Sequence, residues 1–241
     1  SVIINAAAYN AVDKCEENEA EAMLARRLNT ELPGVLSDYC LSSQTLLIHY
    51  STDYVFGGDG RLSGPYQETD KPSPLNVYGR TKFAGEQEIA RRALNGLDYY
   101  LIRTSKLFGP KGESPQAKPS FFDIMITLSL EKETIKAIDG ERSCFTYTPD
   151  LAIATKSLVI DRPARGIYHL CNSGEATWYD GANYLFQAIG ATVNLQALAS
   201  ADWPRPAVRP QYSALANHRR PSLRPWTEAL DEYLFYLGLK K

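Results

Sequence analysis

Apolar residues fill positions 2–4 and 6–8, interrupted by Asn5. Strands buried on both faces of a parallel sheet carry such near-continuous apolar runs, so this pattern predicts a strand over 2–8. The period then changes. Residues 16–29 are acidic early and carry Arg26 and Arg27 late, the polarity that a helix dipole favours. Leu32, Val35, Leu36, Tyr39 and Cys40 recur at i, i+3, i+4, i+7 and i+8, which predicts a core-facing helical stripe with Pro33 in its first turn. A second strand is expected over Thr45–Tyr50 and a third over Tyr99–Thr104. Further on, the pattern predicts helices over 121–130, from Pro149 and over 178–189 behind a Thr177 cap. Strands over 134–138 and 166–171 and a closing amphipathic helix over 226–237 complete it. Strand–helix alternation of this kind implies an α/β fold, a Rossmann-like doubly wound parallel sheet with ligands at the carboxyl ends of its strands.

The second strand ends in a hydroxyl pair, Ser51 and Thr52, and the helix that follows carries Tyr78 and Lys82. Positions i and i+4 share a helix face. A phenol and an ammonium facing a hydroxyl at a strand end make a proton-transfer site. A free tyrosine titrates near pH ~10, and a neighbouring ammonium is expected to lower that value towards working pH. Thr52 could then hold a carbonyl or alcohol oxygen beside the phenol. Hydride chemistry at the attached carbon would need a nicotinamide, which no side chain supplies. The Tyr-x-x-x-Lys spacing alone is weak: Tyr236 and Lys240 share it without a hydroxyl strand before them.

Longer stretches carry more information. VIINAAAYNAVDKCE, IHYSTDYVF, YQETDKPSPLNVYGRTKFAGE, YYLIRTSKLFG, GIYHLCNSGEATWYD, PAVRPQYSAL and PWTEAL resemble the dTDP-4-dehydrorhamnose reductases, a branch of the extended short-chain dehydrogenases/reductases. The resemblance spans nearly the whole chain in order. It implies reduction of a 4-keto nucleotide sugar by NADPH or NADH, with Thr52, Tyr78 and Lys82 as the catalytic triad. It also implies cofactor contacts at Asn5, Ala6, Ala7, Tyr9, Ser51, Tyr78, Lys82 and Thr104, and sugar-nucleotide contacts at Val12, Asp13, Asp53, Tyr54 and Arg209. Asn29 is either a helix cap or the asparagine with which the wider superfamily braces the lysine. Arg205 and Arg209, on a stretch stiffened by Pro204, Pro206 and Pro210, are either solvated loop arginines or planar forks that grip a diphosphate; the resemblance favours the grip at Arg209. The division implied is residues 1–139 as part of a dinucleotide-binding domain, interleaved with a substrate lobe over 140–241.

Three departures qualify the resemblance. No G-x-x-G-x-x-G phosphate loop occurs, and the match starts near the family's fourth strand, with roughly a quarter of a typical member lying ahead of it. Lys106 stands where the family has tryptophan, and Gly140–Thr146 departs from its D-Q-x-G-x-P-T loop. The competing expectations are a non-catalytic regulatory subunit on the same fold and a nucleotide-sugar epimerase.

Composition narrows the field further. The 241 residues are 44% hydrophobic and 22% charged with net charge −2, an ordinary soluble globular balance without the basic excess of a nucleic-acid binder. No apolar run is long enough to span a membrane; a cytoplasmic protein is expected, with a homodimer as its candidate assembly. Cys15, Cys40, Cys144 and Cys171 lack metal-ligand spacing, so a structural zinc is not expected and reduced thiols are. Residues 110–119 read as a mobile loop.

Overall fold

A computed structural model describes residues 1–114 and 117–240; part of the expected 110–119 loop lies outside the described residues. The first half of the chain runs β1 (Val2–Asn5), α1 (Lys14–Glu17), α2 (Glu19–Arg26), a π-helical turn (Arg27–Glu31), α3 (Leu32–Ser42), β2 (Leu46–Thr52), α4 (Val77–Ala93) and β3 (Tyr99–Thr104). The second half continues as β4 (Leu107–Phe108), α5 (Phe121–Glu131), β5 (Thr134–Ile138), β6 (Thr146–Tyr147), α6 (Thr148–Asp161), β7 (Gly166–His169), β8 (Asn172–Ser173), α7 (Trp178–Ile189), β9 (Asn194–Leu198), β10 (Leu223–Pro225) and α8 (Trp226–Tyr236).

The main sheet has the order β1-β2-β3-β7, and every pairing in it is parallel. Its register sets Ser51 opposite Arg103 and Thr52 opposite Thr104, so two threonines end adjacent strands on one edge. Side chains alternate across a strand, and the two faces are covered by different helices. Ile48, Tyr100, Ile102 and Tyr168 pack with Leu151 and Leu158 of α6. Leu47 and Leu101 pack with Cys40 of α3 and Ile89 of α4. A second aromatic core, built from Phe108, Phe122, Phe145, Trp226 and Tyr233, lies among α5, α7 and α8. There β5 pairs in parallel with β9, a strand the apolar pattern does not announce. Helix α7 opens as expected on Thr177, in a reciprocal capping box with Asp180.

Two expectations are corrected. The first strand is shorter than 2–8 and sits at the sheet edge, with Val2 41% and Ile4 55% exposed; it is not buried on both faces. In α3, Val35 is 64% and Tyr39 58% exposed, while Pro33, Gly34, Ser37 and Cys40 are buried. The large side chains of the stripe yield to small ones because the neighbouring backbone comes so close. A Cβ on Gly85 of α4 would lie 2.1 Å from the Asn29 carbonyl oxygen, inside any tolerable contact. Only glycine permits that approach, and it places the π-helical turn directly against the helix that carries Tyr78 and Lys82.

Residues 207–216 run without regular structure, and Tyr212, Ala214 and Leu215 pack in a further cluster with Val55, Phe56, Tyr66, Cys144 and Cys171. The segment's backbone pairs with Tyr66 (Tyr66 N–H to Ala214 carbonyl, 2.8 Å) and with Arg142 (Arg142 N–H to Gln211 carbonyl, 2.9 Å).

Candidate active site

The strand ends of the main sheet open into a cavity of about 400 Å³. It is lined by Ala6, Ala8 and Asn10 after β1, by Tyr50–Asp53 of β2, by Tyr78 and Lys82 of α4, by Thr104–Leu107 and by the start of α6. The expected triad of Thr52, Tyr78 and Lys82 therefore lines one space. Asn76 caps α4 by accepting the Gly79 N–H at 2.8 Å, which fixes where the helix begins and hence where Tyr78 emerges. A Cβ on Gly79 would sit 2.3 Å from the Tyr54 carbonyl oxygen, so this turn lies flush on the Thr52–Tyr54 backbone. The Tyr54 ring meets Tyr78 edge-on at 5.9 Å.

The Tyr78 phenol is hydrogen-bonded to Thr52, and its pKa is pushed up to about 12. Burial is the main cause; the Thr52 bond pulls the value down, and the charges of Asp53 and Cys15 add to the rise. Lys82 is not among the groups that set it. The expectation that the ammonium brings the phenol towards neutrality is thus corrected: Lys82 is itself buried at 2% exposure and gives its Nζ–H to the Tyr50 carbonyl at 2.7 Å. Desolvation lowers its own pKa to about 8, against a smaller raising effect of Glu86.

The residues expected at the cofactor divide. Ala6 and Ala8 line the cavity, while Ala7 turns its N–H back onto Asn5 Oδ1 at 3.1 Å. Tyr9 is clasped by Asn29, which accepts its N–H at 2.9 Å and donates to its carbonyl at 3.0 Å. Asn29 also donates to Thr81 at 3.1 Å. It is neither a cap nor a direct brace of the lysine; it pins the Tyr9 backbone to α4. Ser51 donates to Glu86 at 2.5 Å, and Thr104 meets Thr146 at 3.3 Å.

The residues expected at the sugar nucleotide also bond to one another. Arg209 pairs with Asp13 at 2.7 Å, and this pairing, with the Ala207 N–H, outweighs burial and lowers the Asp13 pKa. Val12 lies off the cavity lining, its N–H on the Asn10 carbonyl. Asp53 is buried and accepts from Ser213 at 2.6 Å; burial raises its pKa against that bond. Desolvation likewise raises the Tyr54 phenol. Arg205 is paired with Glu141. Lys106 lines the cavity in a left-handed backbone conformation, φ 36°. Its ammonium donates to the Glu141 and Ala176 carbonyls at 3.2 and 3.1 Å and lies 4.2 Å over the Trp178 ring. Burial lowers its pKa to about 8.

Sequence reasoning passed over the layer beneath this cavity. Arg103, 1% exposed, donates to both oxygens of Glu86, at 3.0 and 2.7 Å. A charged residue inside the apolar run of β3 and a carboxylate four residues after Lys82 were the available signals.

The site supports a testable pH effect. Lys82 and Lys106 have folded pKa values below the ordinary 10.5. Between about pH 8 and 10.5 the unfolded chain binds more protons than the folded one, so stability rises with pH there and the penalty is complete below pH 8. Lys82→Met removes that lysine's penalty. Its stability advantage over the parent is expected to be largest at pH 7 and to shrink by at most about 1.4 kcal/mol per pH unit above 8. Urea unfolding at pH 7 and 9.5 measures it; an advantage that does not change with pH contradicts the shift.

Residues 1–237 match the sequence model of the RmlD substrate binding domain. The chain belongs to this family. The dTDP-4-dehydrorhamnose reductase of Mycolicibacterium smegmatis is 37% identical over 238 residues, covering 96% of the chain and 69% of that protein. The crystal structure of a Clostridium acetobutylicum dTDP-4-dehydrorhamnose reductase superposes with a TM-score of 0.86 at 33% identity, covering 98% of the chain and 81% of that one. A dTDP-4-dehydrorhamnose reductase from Bacillus anthracis, in complex with NADP, superposes equally well at 30% identity, covering 98% of the chain and 80% of that structure. No helix among the described residues is long and apolar enough to cross a membrane.

Proposed function

We propose that the chain reduces dTDP-4-dehydro-L-rhamnose to dTDP-L-rhamnose, an oxidoreductase step of dTDP-rhamnose biosynthesis, with NADPH as the reductant. The observation that carries this reading is the convergence of the Thr52 hydroxyl, the Tyr78 phenol and the buried Lys82 amine on one cavity at the ends of parallel strands. The match to a family of such reductases supports it.

The residues present fit the nicotinamide end of the cofactor. Ala6 and Ala8 offer a low wall against which a flat ring can lie, and Tyr78 and Lys82 offer polar atoms for a ribose. When bound, the cofactor supplies the hydride. The protein's part concerns the oxygen. Thr52 orients the C4 ketone beside Tyr78. A phenol with its pKa pushed up to about 12 is protonated at neutral pH, the state needed to give its proton to the C4 oxygen as negative charge develops there. Asp53, Ser213 and the Arg209–Asp13 pair are assigned to the remainder of the nucleotide sugar. We assign residues 1–139 to cofactor binding and 140–241 to the substrate lobe, joined through the 207–216 segment.

The test is direct. Mixed with NADPH and dTDP-4-dehydro-L-rhamnose, the chain is expected to consume NADPH and yield dTDP-L-rhamnose. Calorimetric binding of the nucleotide sugar without any NADPH consumption would reassign the chain as a binding subunit.

A further inference from the structure

His49 lies in the middle of β2, 1% exposed, and takes no part in the steps above. Its ring joins two elements. Nδ1 is 2.9 Å from Asn5 Nδ2 at the end of β1, and Nε2 is 3.5 Å from Lys82 Nζ on α4. The Asn5 amide is oriented by its other atom, since Oδ1 accepts the Ala7 N–H at 3.1 Å. Asn5 therefore offers the ring an N–H, and Nδ1 must accept it. A neutral imidazole has one donor and one acceptor, so the proton sits on Nε2 and faces the lysine.

That contact discriminates between the two forms of Lys82. An ammonium has three donors and no acceptor. An N–H aimed at it is two donors face to face, whereas an N–H aimed at a neutral amine is a hydrogen bond. The other partner of Lys82, the Tyr50 carbonyl at 2.7 Å, accepts from either form. The charged group facing the pair is Glu86, one turn along α4, whose carboxylate is engaged by Ser51 and Arg103. Asn5 and the Tyr50 carbonyl are uncharged. His49 stays neutral, because burial first and the Lys82 charge second hold its pKa well below the ordinary value.

We propose that His49 is a positioning residue for Lys82, its Nε2–H favouring the lysine's amine form, so that the ammonium gives up and regains a proton at the site instead of standing as a fixed cation. Resting on the reductase reading of Lys82, the assignment has tests that need no turnover. In nitrogen-15 NMR of histidine-labelled chain, the His49 signal, identified by its loss in His49→Asn, is expected to show the Nε2–H tautomer unchanged from pH 6 to 9. An Nδ1–H tautomer, or a ring that titrates in that range, overturns the proposal. In carbon-13 NMR of lysine-labelled chain, His49→Asn keeps an acceptor for Asn5 but removes the Nε2–H. It is expected to raise the Lys82 midpoint by about one unit, tenfold in proton affinity. His49→Gln restores a donor at the Nε2 position and is expected to bring the midpoint back towards the parent's. An unmoved midpoint in a His49→Asn chain that melts like the parent overturns the proposal. Should that variant not fold, the parent's tautomer still decides. Turnover with the wrong tautomer would sink this role while leaving the reductase reading intact.

Discussion

Tyr78→Phe is expected to cut NADPH-dependent turnover by about 10²–10⁴-fold, the contribution of a positioned general acid, while nucleotide-sugar affinity changes little. The substitution removes one oxygen. Its partner in the fold is the Thr52 hydroxyl, which keeps its own bonds to Asp53 and the Tyr54 N–H, and the ring keeps its edge-on packing on Tyr54. Stability should therefore be near that of the parent, so a loss of rate reports chemistry. The diagnostic is a kcat that falls with KM roughly unchanged, because the proton is needed only as charge builds on the C4 oxygen. A variant that turns over at the parent's rate removes Tyr78 from the mechanism.

The second large effect concerns the fold beneath the site. Glu86→Ala is expected to cost about 3–5 kcal/mol, because it leaves Arg103 buried with no counter-charge. Arg103 has little else to turn to. Its Nη1 lies 3.4 Å from His169 Nε2, and its guanidinium stacks 5.0 Å over Phe56. His169 Nδ1 lies 3.0 Å from the Tyr66 and Ala216 carbonyls, which makes it the donor and leaves Nε2 to accept. Replacing both charges, as Glu86→Leu with Arg103→Met, should recover most of the loss, since the cost is the orphaned charge and not the missing ion pair. Urea denaturation of the single and double variants measures both. A single-variant loss under about 1 kcal/mol would mean that water reaches Arg103.

The sequence made legible those elements whose pattern is local. β2 and β3 were placed to within a residue or two, since a strand buried on both faces carries a near-continuous apolar run; of α4 only the entry carrying Tyr78 and Lys82 was read. Thr177 could be read as a cap from its own chemistry. Thr52, Tyr78 and Lys82 were found together because a strand end and a helix start are local features. What failed was non-local. The exposure of Val2 and Ile4 on β1 depends on what lies beside the strand, not on its own apolar run. The α3 stripe was misread because helix contact there is governed by the Gly85–Asn29 approach, a meeting of residues 56 positions apart. The Tyr78 pKa ran opposite to expectation because spacing places Lys82 on the correct face without saying what holds its amine. Arg209 looked like a free diphosphate grip because its partner, Asp13, lies 196 residues away.

That last separation matters for how the molecule comes into being. A ribosome releases Asp13, Thr52 and Tyr78 long before Ser213 and Arg209. Closing such long loops is the slow, entropically costly part of assembly. Until residues 209–213 have been synthesised, the nascent chain carries an Asp13 carboxylate without Arg209 and an Asp53 carboxylate without Ser213. Fragments ending before residue 207 would therefore be born with every residue that lines the Thr52, Tyr78 and Lys82 cavity but without the Ser213 and Arg209 that engage Asp53 and Asp13.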